Sequence, residues 1–139
     1  MVAIGFTVFK DKILSGEKRQ TIRVYKDKRY RLIKRKKTLH LYWKLRSKEC
    51  ELLKVAELDD IFVIRLYAPV YSDFFYSKGT TIGWIHRWDG ERWVKLTPEE
   101  IREIVKLDGF SGFQDFYYFF KKTYGDNVYD MVFMVIRWR

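Results

Sequence analysis

The spacing of apolar and polar positions changes several times along the chain, and each change marks an element. Residues 3–7 read as a short strand. Phe9, Ile13 and Leu14 then fall on one side of a helical segment from Phe9 to Ser15, with Gly16 at the stop position. From Lys18 to Tyr25, β-branched and aromatic residues alternate with polar ones, which predicts a strand from Arg19 or Gln20 onward. Leu39, Leu41, Trp43 and Leu45 alternate in the same way. A further apolar stretch starts at Leu53, Val55 and Ala56 and runs through Ile61, Val63, Ile64 and Leu66, so strands are predicted over both stretches.

Residues 67–79 carry Tyr67, Tyr71, Phe74, Phe75 and Tyr76 with Pro69 and Gly79. This is a loop with more aromatic content than a connector needs, either a lid or a packed excursion. Thr80–Trp88 and Glu91–Leu96 flank Asp89-Gly90, a two-residue hairpin signal because both central residues tolerate positive φ. Trp84 and Trp88 share a face of the first of these strands, and Trp93 joins that face or the opposite one. Thr97-Pro98-Glu99-Glu100 supplies an N-cap, a proline at the first helical position and a capping-box glutamate. Ile101, Ile104 and Val105 form the buried side of that helix, which should end before Gly109. Ser111 and Gln114 open a second helix, whose stripe of Phe113, Phe116, Tyr117, Phe120 and Tyr124 faces the core and which Gly125 closes. Tyr129 to Trp138 is a near-continuous run of β-formers and reads as a central strand. The order of elements predicts an α+β fold: a mixed sheet curled into a small β-barrel with helices packed on it, as one domain over 1–139.

Composition narrows the class. The 139 residues fit one domain of the usual ~100–200. With 47% apolar residues, 19% aromatic residues and two prolines, the chain is neither disordered nor of low complexity. A lone cysteine, Cys50, makes no internal disulfide, and His40 and His86 are too far apart in sequence to suggest a zinc site, so neither metal nor cofactor is expected. The N-terminus lacks the charged and apolar regions of a signal peptide, and no stretch reaches the ~20 apolar residues of a membrane span. A cytoplasmic protein with no membrane contact is therefore expected. Two Gln, one Asn and one Cys amid dense charge match the composition of hyperthermophile proteins.

Charge is distributed unevenly. The chain carries +10 overall; residues 1–50 hold 16 basic and 4 acidic side chains, whereas 51–139 hold 12 and 14. The positive excess is an N-terminal property. Its densest run is Lys26, Lys28, Arg29, Arg31, Lys34, Arg35, Lys36 and Lys37, relieved only by Asp27, and it is expected to be a surface loop or a solvated strand face. Interleaved with Tyr25, Tyr30 and Trp43, it has the cations and rings that phosphate contact and base stacking require, which makes RNA the expected partner. The plainer alternative is a solubilising face.

The octapeptide Gly16-Glu17-Lys18-Arg19-Gln20-Thr21-Ile22-Arg23 lies between the first helix and a strand. It resembles the G-x-K-x-x-T-x-R signature of the ASCH domain, a branch of the PUA-like barrel superfamily. Asp108-Gly109-Phe110-Ser111, the aromatic helix and the final strand from Val132 to Trp138 resemble the C-terminal half of archaeal-type members. The likeness covers roughly 3–66 and 97–138, leaving about 67–96 as an insertion. Lys34-Arg35-Lys36-Lys37 stands where members usually show a Gly-Asp turn. The resemblance implies a PUA-like barrel that binds single-stranded RNA or a modified nucleoside in a basic cleft, with Arg19 and Arg23 beside the run from Lys26 to Lys37. It also implies an alternative, because some small bacterial members are amidohydrolases that remove acetyl from N4-acetylcytidine. Their catalytic Lys and Thr correspond to Lys18 and Thr21, and their Glu to Asp108, one methylene shorter.

On that alternative, Thr21 is a hydroxyl nucleophile that needs a base, and Lys18 serves only when neutral, its pKa depressed by burial or by Arg19 and Arg23. Asp108 favours charged Lys18, so its role is proton donation to the leaving amine or orientation of the site. A carboxyl misplaced by ~1 Å costs ~10²-fold in rate. The plain structural reading instead makes Lys18 solvated, Thr21 a β-former, Arg23 an ion-pair partner and Asp108 a turn residue. His40 and His86 are read as structural or exposed. A protein-interaction module built on the aromatics of 67–96 is a third reading.

Overall fold

The structure, a computed structural model, describes residues 2–67 and 85–139. In β1 (Val2–Phe6) alternate residues are buried, as expected of a strand with one face on a core. Helix α1 (Lys10–Ser15), strand β2 (Gln20–Val24), helix α2 (Asp27–Lys36) and strand β3 (Thr38–Trp43) follow. Next come β4 (Glu51–Leu66), β5 (Ile85–Trp88) and β6 (Trp93–Lys95). Helices α3 (Pro98–Leu107) and α4 (Phe113–Tyr124), a 3₁₀ segment (Gly125–Asp130) and β7 (Val132–Trp138) complete the described elements.

The 16-residue β4 organises the sheet. Its first half pairs antiparallel with β3, its second half with β7, and its last three residues with β5. The ladder to β7 shifts register between Leu58 and Asp60, an irregularity of the kind that bends a strand. β1 runs parallel to β3, and β2 runs antiparallel to β7. The path β1-β3-β4-β7-β2 is a curled, half-barrel mixed sheet, and the β5–β6 hairpin extends from the end of β4. Among the described residues β1 pairs only with β3 and β2 only with β7, so a seam separates β1 from β2. Arg23 of β2 bridges it, its Nη2 donating to the Gly5 carbonyl, and Arg29 of α2 donates from Nη2 to the Ala3 carbonyl, both at 2.6 Å. These charge-assisted bonds satisfy edge carbonyls that no strand reaches.

Apolar residues divide between the two faces of the sheet. Val2, Ile4, Phe6, Leu39, Leu41, Met134, Ile136 and Trp138 pack with Ile13 of α1 and Ile33 of α2. On the other face Ile22, Phe62, Ile64, Phe133 and Val135 pack against Ile101 and Ile104 of α3 and Phe116 and Phe120 of α4. Alternation in β7 supplies both cores, which is why its run of β-formers is nearly continuous.

Several elements differ from the sequence expectations. The basic run is a helix, not a loop or a strand face. Asp27 in its first turn and Lys34, Arg35 and Lys36 in its last complement the helix dipole, and only Ile33 is fully buried, so its exposed cations cost little. Lys37 ends it in the left-handed conformation at φ 63°, performing the turn ahead of β3 that a glycine would make more easily. The Asp89-Gly90 hairpin forms, but Trp88 pairs with Trp93, so the connection has four residues and not two. Asp89 Oδ1 accepts from the backbone N–H groups of Glu91 and Arg92, and this Asx geometry sets the longer turn. Gly112, not Ser111, is the N-cap of α4; Ser111 Oγ bonds Asp115 Oδ2 instead. The final strand starts at Val132 because Gly125–Asp130 takes a 3₁₀ turn. The aromatic loop, Trp84 and most of the proposed insertion lie outside the described residues.

Candidate functional site

Thr21 and Arg23 alternate along β2 and point to one side, opposite Ile136 and Met134. On that side, at the end of β1, a cleft of about 300 Å³ opens beside the seam. Its charged groups are Lys18, Arg23 and Asp108, its hydroxyls include that of Thr21, and rings among them Phe6, Phe9, Phe110, Phe119 and Tyr124 wall it.

Each polar group is held by a specific partner. Asp108 is the C-cap of α3. Lys18 Nζ donates to its carbonyl at 2.5 Å and lies 3.6 Å from its carboxylate. Lys12 Nζ donates to the next carbonyl, of Gly109, at 2.6 Å. Two lysines thus meet the negative end of α3. Gln20 Nε2 donates to Asp108 Oδ1 at 3.2 Å and to the Ile104 carbonyl at 2.9 Å, while its Oε1 accepts from Arg137 Nε at 2.8 Å. Arg23 Nε donates to Thr21 Oγ1 at 2.9 Å, which leaves the Thr21 hydroxyl proton to be donated elsewhere. The Lys18 amine also lies 5.4 Å from the Phe9 ring centre, and the Arg23 guanidinium 5.1 Å from that of Phe6, both within cation–π range.

Backbone geometry shapes one wall. Phe9 sits in the left-handed region at φ 63°, an outlier for a bulky residue. Its ring packs on Gly109, itself at φ 103°, where a Cβ would lie 3.3 Å from that ring and 3.5 Å from Lys18 Cδ. Gly109 is therefore required both by its backbone angle and by the closeness of its neighbours.

Burial pushes the Lys18 amine below its usual 10.5; the Asp108 carboxylate opposes this, while Arg23 and Lys12 assist. The same burial pushes the Asp108 carboxyl up, against the pull of Lys18, Gln20 and Arg23. Desolvation favours the neutral pair and mutual attraction the ionic one. The pair carries no net charge in either form, so the positive charge in the cleft is that of Arg23, which remains protonated although burial lowers its pKa. The adjacent guanidinium favours ionisation of the Thr21 hydroxyl.

The sequence-predicted residues fall into two groups. Lys18, Thr21, Arg23 and Asp108 share the cleft. Thr21 contacts Arg23, while Lys18 contacts Asp108. The others belong to the outer surface: Arg19, Lys26, Lys28, Arg31, Lys34, Arg35, Lys36 and Lys37 are exposed, with Arg31 paired to Asp27. Arg29 is half-buried against β1. Because Arg23 and Arg29 bind carbonyls two residues apart on β1, the basic helix and the cleft lie along the same edge. Sequence reasoning missed Gln20 and the ring walls. A signal for Gln20 existed, since it falls in phase with Ile22 on the apolar face of β2. Of the α4 stripe, Phe116 and Phe120 are buried in the core and Phe113 and Tyr124 pack against it, whereas the Tyr117 hydroxyl pairs with that of Tyr129; Phe120 and Tyr124 also line the cleft.

No helix among the described residues is long and apolar enough to cross a membrane. No protein-family model, curated protein or solved structure matches the chain.

Proposed function

We propose that this chain is an RNA- or nucleotide-binding protein of the ASCH, PUA-like type that takes an unpaired base or a modified nucleoside into the cleft beside β2. The observation that carries this reading is the convergence of Lys18, Thr21, Arg23 and Asp108 inside aromatic walls. A ligand site of this size combines apolar walls with a few fixed polar groups, and about 300 Å³ lies at the small end of the usual range. Rings stack on a base, Arg23 and Thr21 offer donors to its edge, and the exposed cations of α2 meet the adjoining phosphates. Short single-stranded RNA should bind with log K falling by ~0.7 per phosphate neutralised as log salt rises. Affinity that is insensitive to salt, or to neutralising Lys34–Lys37, would sink the proposal.

The second reading is amide hydrolysis on N4-acetylcytidine or a related base. Its support is a buried Lys18 whose pKa is lowered, in the same cleft as Thr21 and Asp108. Neutral Lys18 would accept the Thr21 proton, and Asp108 would orient Lys18 or protonate the leaving amine. Product release from acetylcytidine decides it. No turnover by wild type dismisses the substrate, and turnover retained in Thr21→Ala dismisses the mechanism.

A further inference from the structure

The end of β4 and the β5–β6 hairpin carry a second cationic and aromatic surface that shares no residue with the cleft. Arg65 stands opposite His86 and His86 opposite Lys95, so three basic side chains form a row across three strands on one face. The two-residue period puts Trp88 and Trp93 on the same face as that row. They are direct cross-strand partners with ring centres 5.4 Å apart, and Trp88 is 40% exposed. Behind them, the Arg65 guanidinium lies 5.4 Å from the Tyr67 ring centre and 5.7 Å from that of Trp93, and Tyr67 packs on His86 at 4.1 Å. Arg65 Nη2 donates to the Tyr129 carbonyl at 3.2 Å, which fixes the guanidinium at this end of β4. A tryptophan pair with one exposed ring, beside the cations of Arg65 and Lys95, is the composition of a platform for single-stranded nucleic acid, in which rings stack on bases and cations track the backbone.

We infer that this face holds an unpaired nucleic-acid strand, with one base stacked on the Trp88–Trp93 pair and the adjoining phosphates along Arg65 and Lys95. The inference rests on the nucleic-acid reading of the partner, not on the cleft. A wide groove runs from Trp88 toward Lys34 and Lys37, but Glu57, Asp59, Asp60 and Asp89 also line it. Those carboxylates repel phosphate, so the strand follows the basic row, and the hairpin and helix α2 are separate contacts.

The test is fluorescence anisotropy of a short labelled oligouridylate at low and moderate salt. Trp88→Ala should weaken binding about tenfold, the range expected for one lost stacking contact, and Trp88→Phe should restore most of it. Lys95→Gln should reduce the salt slope by ~0.7. Wild-type affinity in both Trp88→Ala and Trp93→Ala, with unchanged circular dichroism, overturns the inference and leaves the tryptophans as packing or as a protein contact. The two proposals fail differently. Loss only on neutralising Lys34–Lys37 or altering Thr21 removes the hairpin platform and keeps the cleft. Loss in Trp88→Ala with those variants normal keeps the platform and removes the cleft. An oligouridylate that does not bind wild type removes both.

Discussion

Lys18 and Asp108 lie 90 residues apart in sequence yet meet twice, through the Asp108 carbonyl at 2.5 Å and its carboxylate at 3.6 Å. Both side chains are almost wholly buried. This contact ties the signature octapeptide to the end of α3 and forms one side of the cleft.

Removing one member of such a pair leaves the other buried without its counter-ion, holding only the Gln20 amide (for Asp108) or the carbonyl of residue 108 (for Lys18). Lys18→Met should cost about 3–5 kcal/mol, and Asp108→Leu a similar amount. The double variant should cost less than the sum of the two, because two apolar groups leave no charge stranded. Urea unfolding of the four proteins measures this coupling.

The pair should also mark the pH dependence of stability. Asp108 is raised above its ordinary 3.8, so the folded chain binds more protons than the unfolded one just above that pH. Its stabilising contribution is present at lower pH and is lost as pH rises through the folded pKa. Lys18 is lowered below 10.5, so its contribution is recovered as pH rises from the folded pKa toward 10.5. Unfolding free energies of wild type minus Asp108→Asn should therefore fall with rising pH on the acid side. The difference for Lys18→Met should rise on the alkaline side. Flat differences would contradict both shifts.

The elements read correctly from sequence are those whose signals are local. Thr97 accepts from the Glu100 N–H and Glu100 Oε1 accepts from the Thr97 N–H, the reciprocal box that the four residues from Thr97 to Glu100 announce. Helix α2 was hidden because its cations dominate the pattern and only Ile33 is fully buried, which leaves little apolar period to detect. Arg23 on Gly5 and Phe9 on Gly109 join residues remote in sequence, and no local pattern encodes such a contact. Lys18, Thr21, Arg23 and Asp108 were therefore visible as residue types, while Gln20, the ring walls and the assembly of the site were not.

Thr97→Ala should remove the capping box and cost about 1 kcal/mol of stability. The cleft lies at the opposite end of α3, so ligand affinity should be unchanged. Thermal unfolding and a binding titration together check this separation of stability from function.

Gly109→Ala adds a side chain where φ is 103° and a Cβ would press on the Phe9 ring at 3.3 Å. The left-handed backbone alone should cost about 1–2 kcal/mol. Displacement of the Phe9 ring should in addition weaken binding in the cleft. An unfolding midpoint and an affinity equal to wild type would contradict the close packing there.

The central claim is that the cleft beside β2 receives a nucleobase, and backbone amide shifts tested with cytidine monophosphate and a short oligocytidylate measure it most directly. The account predicts saturable shifts concentrated at Gly5–Phe9, Lys18–Arg23 and Asp108–Phe110, lost in Thr21→Val and in Lys18→Met. Shifts that do not saturate, or that spare these three segments while appearing elsewhere, would contradict it.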